Sequence, residues 1–319
     1  MLTKSFESYC RISLAREYSI LQTLLDYRSL STRISTFTEG LPTHIHPVTG
    51  RMHPDWFQIG ARSGRFRCRH PNLQNIPRDK ATRSCFTAGE GQVLIKADYS
   101  QVELRIMAKV SGDKRMKRAY CRGEDLHRLT AGLVFGKEVE SVTEEERRLG
   151  KIINFGLIYG MGARKFRYTA AKDYGVQMTM AEASAFRRTF FASYRGIQRY
   201  HTQVRREWQK GVRVSRTPDG RRRVWSKGSQ PKLNEMVNHP IQGANATITK
   251  RALAGFAGKG LAGVRLVAVV HDEILVECPV GVAQAVAKVL EDCMVRAGES
   301  VLMPIPCVVD VGVLDSWGG

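Results

Sequence analysis

The stretch VLIKADYSQVELRIMAKV, residues 93–110, decides the fold. Its first part, VLIKA, is a mostly apolar run that closes on Asp98 and predicts a buried strand with a carboxylate at its end. Its second part repeats apolar residues at helical spacing, and Ser100 followed three positions later by Glu103 predicts an N-cap with a capping box. Strand, carboxylate and helix thus follow one another directly. Far down the chain RLVAVV and EILVEC, residues 265–270 and 273–278, are short β-rich runs that predict a hairpin with His271 and Asp272 at its tip. Strands and helices do not alternate regularly between the two carboxylates. The expected fold class is therefore α+β, an antiparallel or mixed sheet with a large helical insertion.

Within that insertion, TEEERRLGKIINFGLIYG, residues 143–160, carries a helix start signal: Thr143 as N-cap, Glu146 at the reciprocal position, and acids in the first turn that suit the helix dipole. Gly160 is the expected stop. Arg147, Lys151, Phe155 and Tyr159 recur every fourth residue, so each step drifts by about 40° and the four form one slowly spiralling face. Two cations followed by two aromatics suit a nucleoside triphosphate lying lengthwise, although amphipathic packing with a wet basic end accounts equally well for the spacing. Asp98 and Asp272, if displayed together at one sheet edge, would bind hard divalent cations through oxygen. Two such ions roughly 3.5 to 4 Å apart activate an attacking hydroxyl and stabilise a leaving phosphate oxygen. A turn Asp and a helix-capping Asp are the plainer readings of each residue alone. Elsewhere, Leu14, Tyr18, Leu21, Leu24 and Leu25 predict an amphipathic helix within residues 11–30. TEGLPTHIHPVTGRMHP, residues 38–54, reads as turns and short strands, and residues 163–211 as further helices before the turn TPDGRRR.

Composition bounds the partners. The chain has 319 residues, 43% hydrophobic and 25% charged, which excludes a disordered, collagen-like or disulfide-scaffold protein. No apolar run reaches the roughly 20 residues of a membrane span, and the amino terminus lacks the apolar stretch of a secretory signal. A cytoplasmic protein, bacterial or phage-encoded in a host cell, is expected, with no membrane partner. Seven scattered cysteines without a C-x-x-C pair read as reduced and mostly structural rather than zinc-binding. Against 30 acids stand 50 Lys and Arg, a formal charge of +20, and the excess is uneven. Seven basic residues (Arg62, Arg65, Arg67, Arg69, Arg78, Lys80, Arg83) face one acid, Asp79, between positions 62 and 83. Eleven face Glu207 and Asp219 between 195 and 227. Two separated basic stretches suggest a polyanion held at more than one place; a solvated basic face is the alternative for either alone.

DYSQVELR, RRLGKIINFGLIYG and VHDE resemble the three motifs of family A DNA polymerases, the bacterial DNA polymerase I type. SGRF, HPNLQNIP, DLHR and NHPIQG support the resemblance in the family's order, from about residue 20 to the carboxyl terminus. The resemblance implies a right-hand architecture with a thumb remnant at 1–35, a palm formed by 36–110 and 229–319, and fingers at 111–228. It implies a DNA-templated DNA polymerase in which Asp98 and Asp272 hold two Mg²⁺ ions, with Mn²⁺ as a substitute, and the Tyr99 carbonyl completes one coordination shell. Arg147 and Lys151 would contact the triphosphate, with Lys151 a proton donor to departing pyrophosphate. Phe155 would pack on the sugar, Tyr159 close the pocket, and His127 and Gln101 lie near the incoming phosphates. Arg65, Asn238 and Gln242 match positions at the primer-end minor groove, and His271 flanks a metal ligand beside the DNA. The family counterpart of Glu103 blocks a ribose 2′-hydroxyl, a role only partly compatible with capping.

Departures from the family pattern carry expectations of their own. Arg67 and Arg69 replace small polar residues and imply additional phosphate contacts, while Asn234 stands where an Arg usually lies near DNA. About 35 residues before the palm imply a much reduced thumb and no exonuclease domain, hence no intrinsic proofreading, with the unusual charge partly replacing the missing grip on DNA. The expected partners are primer-template DNA and dNTPs, with separate exonuclease, thumb or processivity proteins. Two other readings compete: a nucleic-acid-binding polymerase subunit completed by such a partner, and a single-subunit RNA polymerase, which Glu103 and the HDE hairpin disfavour.

Overall fold

The computed structural model describes residues 19–319. The expected N-terminal helix is α1, Ser19–Arg33; Leu14, Tyr18 and Cys10 lie outside the described residues. Short strands β1 (Asp55–Phe57) and β2 (Arg67–Arg69) pair with each other, and the short helix α2 (Lys80–Ser84) leads into β3 (Gln92–Tyr99). Seven helices and a hairpin follow before the chain returns: α3 (Val102–Ser111), α4 (Lys114–Cys121), α5 (Leu126–Phe135), α6 (Glu144–Leu157), α7 (Ala163–Tyr174), α8 (Met180–Ser193), α9 (Arg195–Gln209) and the hairpin β4 (Val214–Arg216) and β5 (Arg222–Val224). The long helix α10 (Leu233–Ala257), β6 (Arg265–Val270), β7 (Glu273–Pro279), α11 (Ala283–Leu302) and β8 (Val309–Leu314) complete the order.

The central sheet runs β6-β7-β3-β8, antiparallel at every pairing. The α+β expectation holds, with the helices inserted between the sheet's first and second strands in sequence. Both faces of β3 are covered, which explains its almost unbroken apolar run. Val93, Ile95, Ala97 and Tyr99 join the main core, which includes Ile241, Ile248, Leu290 and Met294 of α10 and α11. Leu94 joins a second core with Leu73, Ile76, Leu275 and Trp317. Alternate side chains of one strand thus tie the sheet to two layers.

The capping box of α6 forms as expected: Thr143 accepts from the Glu146 amide and Glu146 returns to the Thr143 amide. The helix ends at Leu157, and Gly160, with φ 76°, turns the chain away. The box expected for α3 does not form. Its N-cap is Gln101, in the left-handed region at φ 55° and without a side-chain cap. The reason is tertiary: the Ser100 amide already donates to the Val308 carbonyl (2.9 Å), which leaves Glu103 free for other partners. The amphipathic pattern of α1 also meets a different fate. Of the residues that define it, Leu21 and Leu25 are half-buried and Leu24 is exposed, while neighbouring Ile20 (71%) and Tyr27 (67%) are exposed, so the described residues cover that face only in part.

Candidate active site at the end of the central sheet

Register brings the two predicted carboxylates to one end of the sheet. Asp98, next to last in β3, pairs with Glu273 of β7 on one side and Asp310 of β8 on the other. The β6–β7 turn consists of His271 and Asp272, because Val270 pairs directly with Glu273. His271 takes φ 62°, a conformation glycine would adopt at least cost. Burial pushes the Asp98 carboxyl up to about 7, and the nearby charges of Asp272 and Glu273 push the same way against Arg78. Its Oδ1 is buried without any hydrogen-bond partner. Asp272 is likewise pushed up, by burial and then by Glu103. Leaving a buried carboxylate oxygen unpaired costs about 1–3 kcal/mol or more, so a site like this is built for a cation or a proton. The oxygen donors present therefore fit hard divalent ions. The Tyr99 phenol turns into the core and donates to the Met294 carbonyl (2.8 Å), so only its backbone lies beside Asp98.

Glu273, one residue from Asp272, is in the opposite condition. Arg83 Nη1 donates to both carboxylate oxygens (3.1 and 3.3 Å) and the Trp317 indole to one (2.7 Å), with the guanidinium 4.3 Å over the indole ring. This buried clamp anchors the strand that carries the Asp272 turn. Arg83, counted in the basic stretch 62–83, is thus buried and paired rather than offered to a polyanion, and neither its pairing nor that of Trp317 is visible in the sequence, because each lies far along the chain from Glu273.

Glu103 leaves its helix end to accept hydrogen bonds from Arg65 Nη2 and from the Tyr159 hydroxyl. One carboxylate thereby joins the loop before β2, the start of α3 and the residue just past α6. Burial, reinforced by Glu103, holds the Tyr159 phenol well above its ordinary value. Arg65 Nε is buried without a partner.

Along α6, Arg147 Nε donates to Asp125 Oδ2 (2.6 Å), and Asp125 in turn caps α5 by accepting from the His127 and Arg128 amides (2.8 and 3.1 Å). Burial alone would raise the Asp125 carboxyl, but these partners hold it below its usual value. Lys151 is exposed and makes no ion pair among the described residues. His127 is buried and pushed down to about 4, chiefly by burial. Its Nδ1 accepts from Asn154 Nδ2 (3.0 Å), while the Asn154 oxygen accepts from Thr130 (2.9 Å), which fixes a neutral ring with Nε2 as its donor. Phe155 lies 5.8 Å from that ring, centroid to centroid. Gly150 makes this packing possible, because a Cβ there would meet the His127 carbonyl at 2.2 Å. A mid-helix glycine was the sequence signal for that close approach.

The remaining candidates are placed less centrally. Gln101 accepts from the Tyr120 hydroxyl (3.1 Å), which directs its amide toward α4. Asn238 and Gln242 lie one turn apart on α10, and Asn238 Oδ1 is buried without a partner. His271 is lowered by burial and then by Arg65 and Arg78. Arg67 and Arg69 flank buried Cys68 on β2, both exposed, with Arg69 stacked 4.5 Å over Phe57. They share no hydrogen bond or ion pair with the carboxylate end of the sheet.

The sequence matches the family model for DNA polymerase family A over residues 7–319. It is 40% identical over 277 residues to the DNA polymerase I of Aquifex aeolicus, covering 85% of this chain and 47% of that protein. It is 35% identical over 318 residues to the thermostable DNA polymerase I of Thermus aquaticus, covering 96% and 37%. The chain spans about a third to a half of the length of these curated relatives. A solved structure, the POL domain of Pol1 from M. smegmatis in complex with DNA primer-template and dNTP, superposes with a TM-score of 0.84 at 32% identity, over 100% of this chain and 57% of that one. No helix among the described residues is long and apolar enough to cross a membrane. With the matched region covering nearly the whole sequence, the chain belongs to DNA polymerase family A.

Proposed function

We propose that this chain is a DNA-templated DNA polymerase unit that adds deoxynucleotides to a primer 3′ end by nucleotidyl transfer, without proofreading by this stretch of chain. The observation that carries the proposal is the unpaired, buried carboxylate of Asp98 beside Asp272, at a sheet end otherwise furnished with Arg65, Arg78 and the Glu103–Tyr159 pair.

Asp98 and Asp272 would hold two Mg²⁺ ions, for which Mn²⁺ could substitute, together with the Tyr99 carbonyl. The chemistry such ions supply is activation of the primer hydroxyl and neutralisation of charge at the phosphate. Lys151, unpaired and exposed on α6, is free to meet the triphosphate and to donate a proton to departing pyrophosphate. Arg147, held by Asp125, presents a fixed guanidinium to the same group. Neutral His127 offers Nε2–H without adding charge, and Phe155 beside it supplies an apolar wall for the sugar. Glu103, immobilised by Arg65 and Tyr159, stands as a fixed block to a ribose 2′-hydroxyl. Gln101 lies at the start of α3 near the phosphates, and Asn238, Gln242 and His271 face the duplex. Arg67 and Arg69 add phosphate contacts. Positioning and electrostatics then supply most of the rate.

The palm is read as the sheet with α10 and α11, and the fingers as α4 to α9. Primer-template DNA and dNTPs are the substrates, and separate exonuclease or processivity proteins the further partners. Primer extension by the isolated chain with Mg²⁺ and dNTPs is the test. Absence of extension at low salt with duplex binding retained would replace the proposal by a nucleic-acid-binding subunit.

A further inference from the structure

Helix α4 carries its charge in a place and pattern that its own stability does not call for. Five of the nine residues from 114 to 122 are Lys or Arg, and none is acidic. Lys114, Lys117, Arg118, Cys121 and Arg122 recur at helical spacing on one side, while Met116, Ala119 and Tyr120 are buried on the opposite side. Lys114 and Arg115 stand in the first turn, where the helix dipole favours anions. Lys114 with Arg118, and Arg118 with Arg122, are like-charge pairs four residues apart, which weaken a helix. Lys117 is half-buried, and the other three cations of the stripe are exposed. Lys114, Lys117 and Arg118 make no ion pair among the described residues, and Arg122 lies 3.8 Å from Glu124.

The stripe is turned away from the candidate active site. The buried side of α4 faces it: the Tyr120 hydroxyl donates to Gln101 Oε1 (3.1 Å), and the Arg105 guanidinium stacks 4.4 Å over the Tyr120 ring. Beside the stripe, Lys109 Nζ donates to the Met303 carbonyl (2.5 Å) and Cys121 Sγ to the Pro304 carbonyl (3.8 Å), which sets Met303, 61% exposed, near the end of the stripe. The exposed side of α4 has no aromatic ring on which bases could stack and no row of apolar side chains to enter a bilayer. Cations one helical turn apart, one of them already drawn to Glu124, complement carboxylates spaced along a chain, and Met303 offers an adaptable apolar contact at one end. We propose that α4 is a docking face for an acidic, Asp- and Glu-rich segment of a partner protein, held by Lys114, Lys117, Arg118 and Arg122 outside the active site.

The test uses the full chain and a labelled peptide of alternating Asp and Glu, with the matching peptide of Asn and Gln as the uncharged probe. The acidic peptide should bind and the uncharged one should not. The Lys114→Gln/Lys117→Gln/Arg118→Gln/Arg122→Gln variant should bind it roughly tenfold more weakly, about a factor of two for each exposed pair. Removing four exposed charges elsewhere, in Arg164→Gln/Lys165→Gln/Lys210→Gln/Lys259→Gln, should change affinity by less than about twofold. Equal losses in the two variants overturn the proposal, since the peptide would then answer to net charge alone. Bound peptide should slow alkylation of Cys121 by iodoacetamide and leave that of Cys85, also exposed, unchanged; an unprotected Cys121 overturns the proposal as well. Saturating primer-template should leave the peptide bound, and its displacement would put the peptide on the DNA path instead. The urea midpoint of the stripe variant should equal or exceed that of the wild type, because the charges it removes repel one another; a lowered midpoint returns the four residues to the fold. If the variant loses binding of a single-stranded oligonucleotide or of phosphatidylserine vesicles but keeps the peptide, the face serves a nucleic acid or a membrane. None of these readouts requires synthesis, so a chain that passes them yet extends no primer overturns the polymerase reading alone.

Discussion

Asp98 and Glu273 face each other across β3 and β7, yet they have opposite fates. Glu273 is saturated: a guanidinium and an indole satisfy its carboxylate, and its charge is spent on holding the hairpin and the carboxyl-terminal segment together. Asp98 keeps an oxygen with no partner and a proton affinity raised toward neutrality. Two acids in one sheet register thus show how a fold separates anchoring from function. The anchored acid is silent toward ligands, and the unsatisfied one is costly until a ligand arrives.

Removing the unsatisfied acid should have the largest functional effect. Asp98→Asn is expected to lower primer extension about a thousandfold or more, several kcal/mol of lost electrostatic stabilisation, while duplex affinity stays within about twofold. Mg²⁺ should raise the melting temperature of the wild type but not of this variant. Full activity or an unchanged Mg²⁺ response would break the comparison at its centre. Removing the anchor should act on stability instead. Arg83→Leu strands a buried carboxylate and is expected to cost about 3–5 kcal/mol in urea unfolding, with part recovered by adding Glu273→Leu. A loss below 1 kcal/mol would mean that the clamp is ornamental.

Smaller effects sharpen the contrast. Glu103→Ala should lower the preference for dNTP over rNTP by about ten- to a hundredfold, roughly the 1–3 kcal/mol of one steric contact. An unchanged ratio confines Glu103 to joining Arg65 and Tyr159. On the pH axis, the unfolded chain protonates its histidines near their ordinary 6.5, whereas buried His127 and His239 accept protons only near 4. Between those values the unfolded state holds more protons, so these groups make stability fall as pH falls. Asp98 and Asp272, pushed upward, act in the opposite sense. The His127→Gln/His239→Gln variant should therefore show a shallower loss of urea midpoint from pH 7 to pH 5 than the wild type, and equal slopes would refute the assignment. Least of all, Arg67→Ala/Arg69→Ala should flatten the salt slope of duplex binding by about 2, with no effect on stability.

What was legible in the sequence is what local chemistry decides. The strand ending in Asp98, the hairpin around Asp272 and the Thr143 cap of α6 each depend on residues within a few positions of one another. The misread cap of α3 shows the limit. Ser100 and Glu103 have the right spacing, but the Ser100 amide is already engaged by Val308, the residue before the last strand. Glu103 found Arg65 and Tyr159, 38 and 56 positions away, and Glu273 found Trp317, 44 positions away. No periodicity encodes such pairings. Arg187 and Arg188 of α8 share one cavity with Arg195 and Arg205 of α9, yet only the latter two fall within the basic stretch 195–227, since it takes the packing of α8 against α9 to turn all four toward a common space.

Gln101 and His271 are two of only three non-glycine residues with positive φ among the described ones, and each lies within three residues of a site carboxylate. A left-handed residue bearing a side chain costs about 1–3 kcal/mol. An engineer relaxing outliers for heat resistance would substitute glycine at these two positions first, and would thereby soften the two backbone corners that aim Asp98 and Asp272. In this chain thermostability and the aim of the two carboxylates compete at two identifiable peptide corners, and a hardened variant is better sought at α1, where Ile20 and Tyr27 are exposed among the described residues and carry no such obligation.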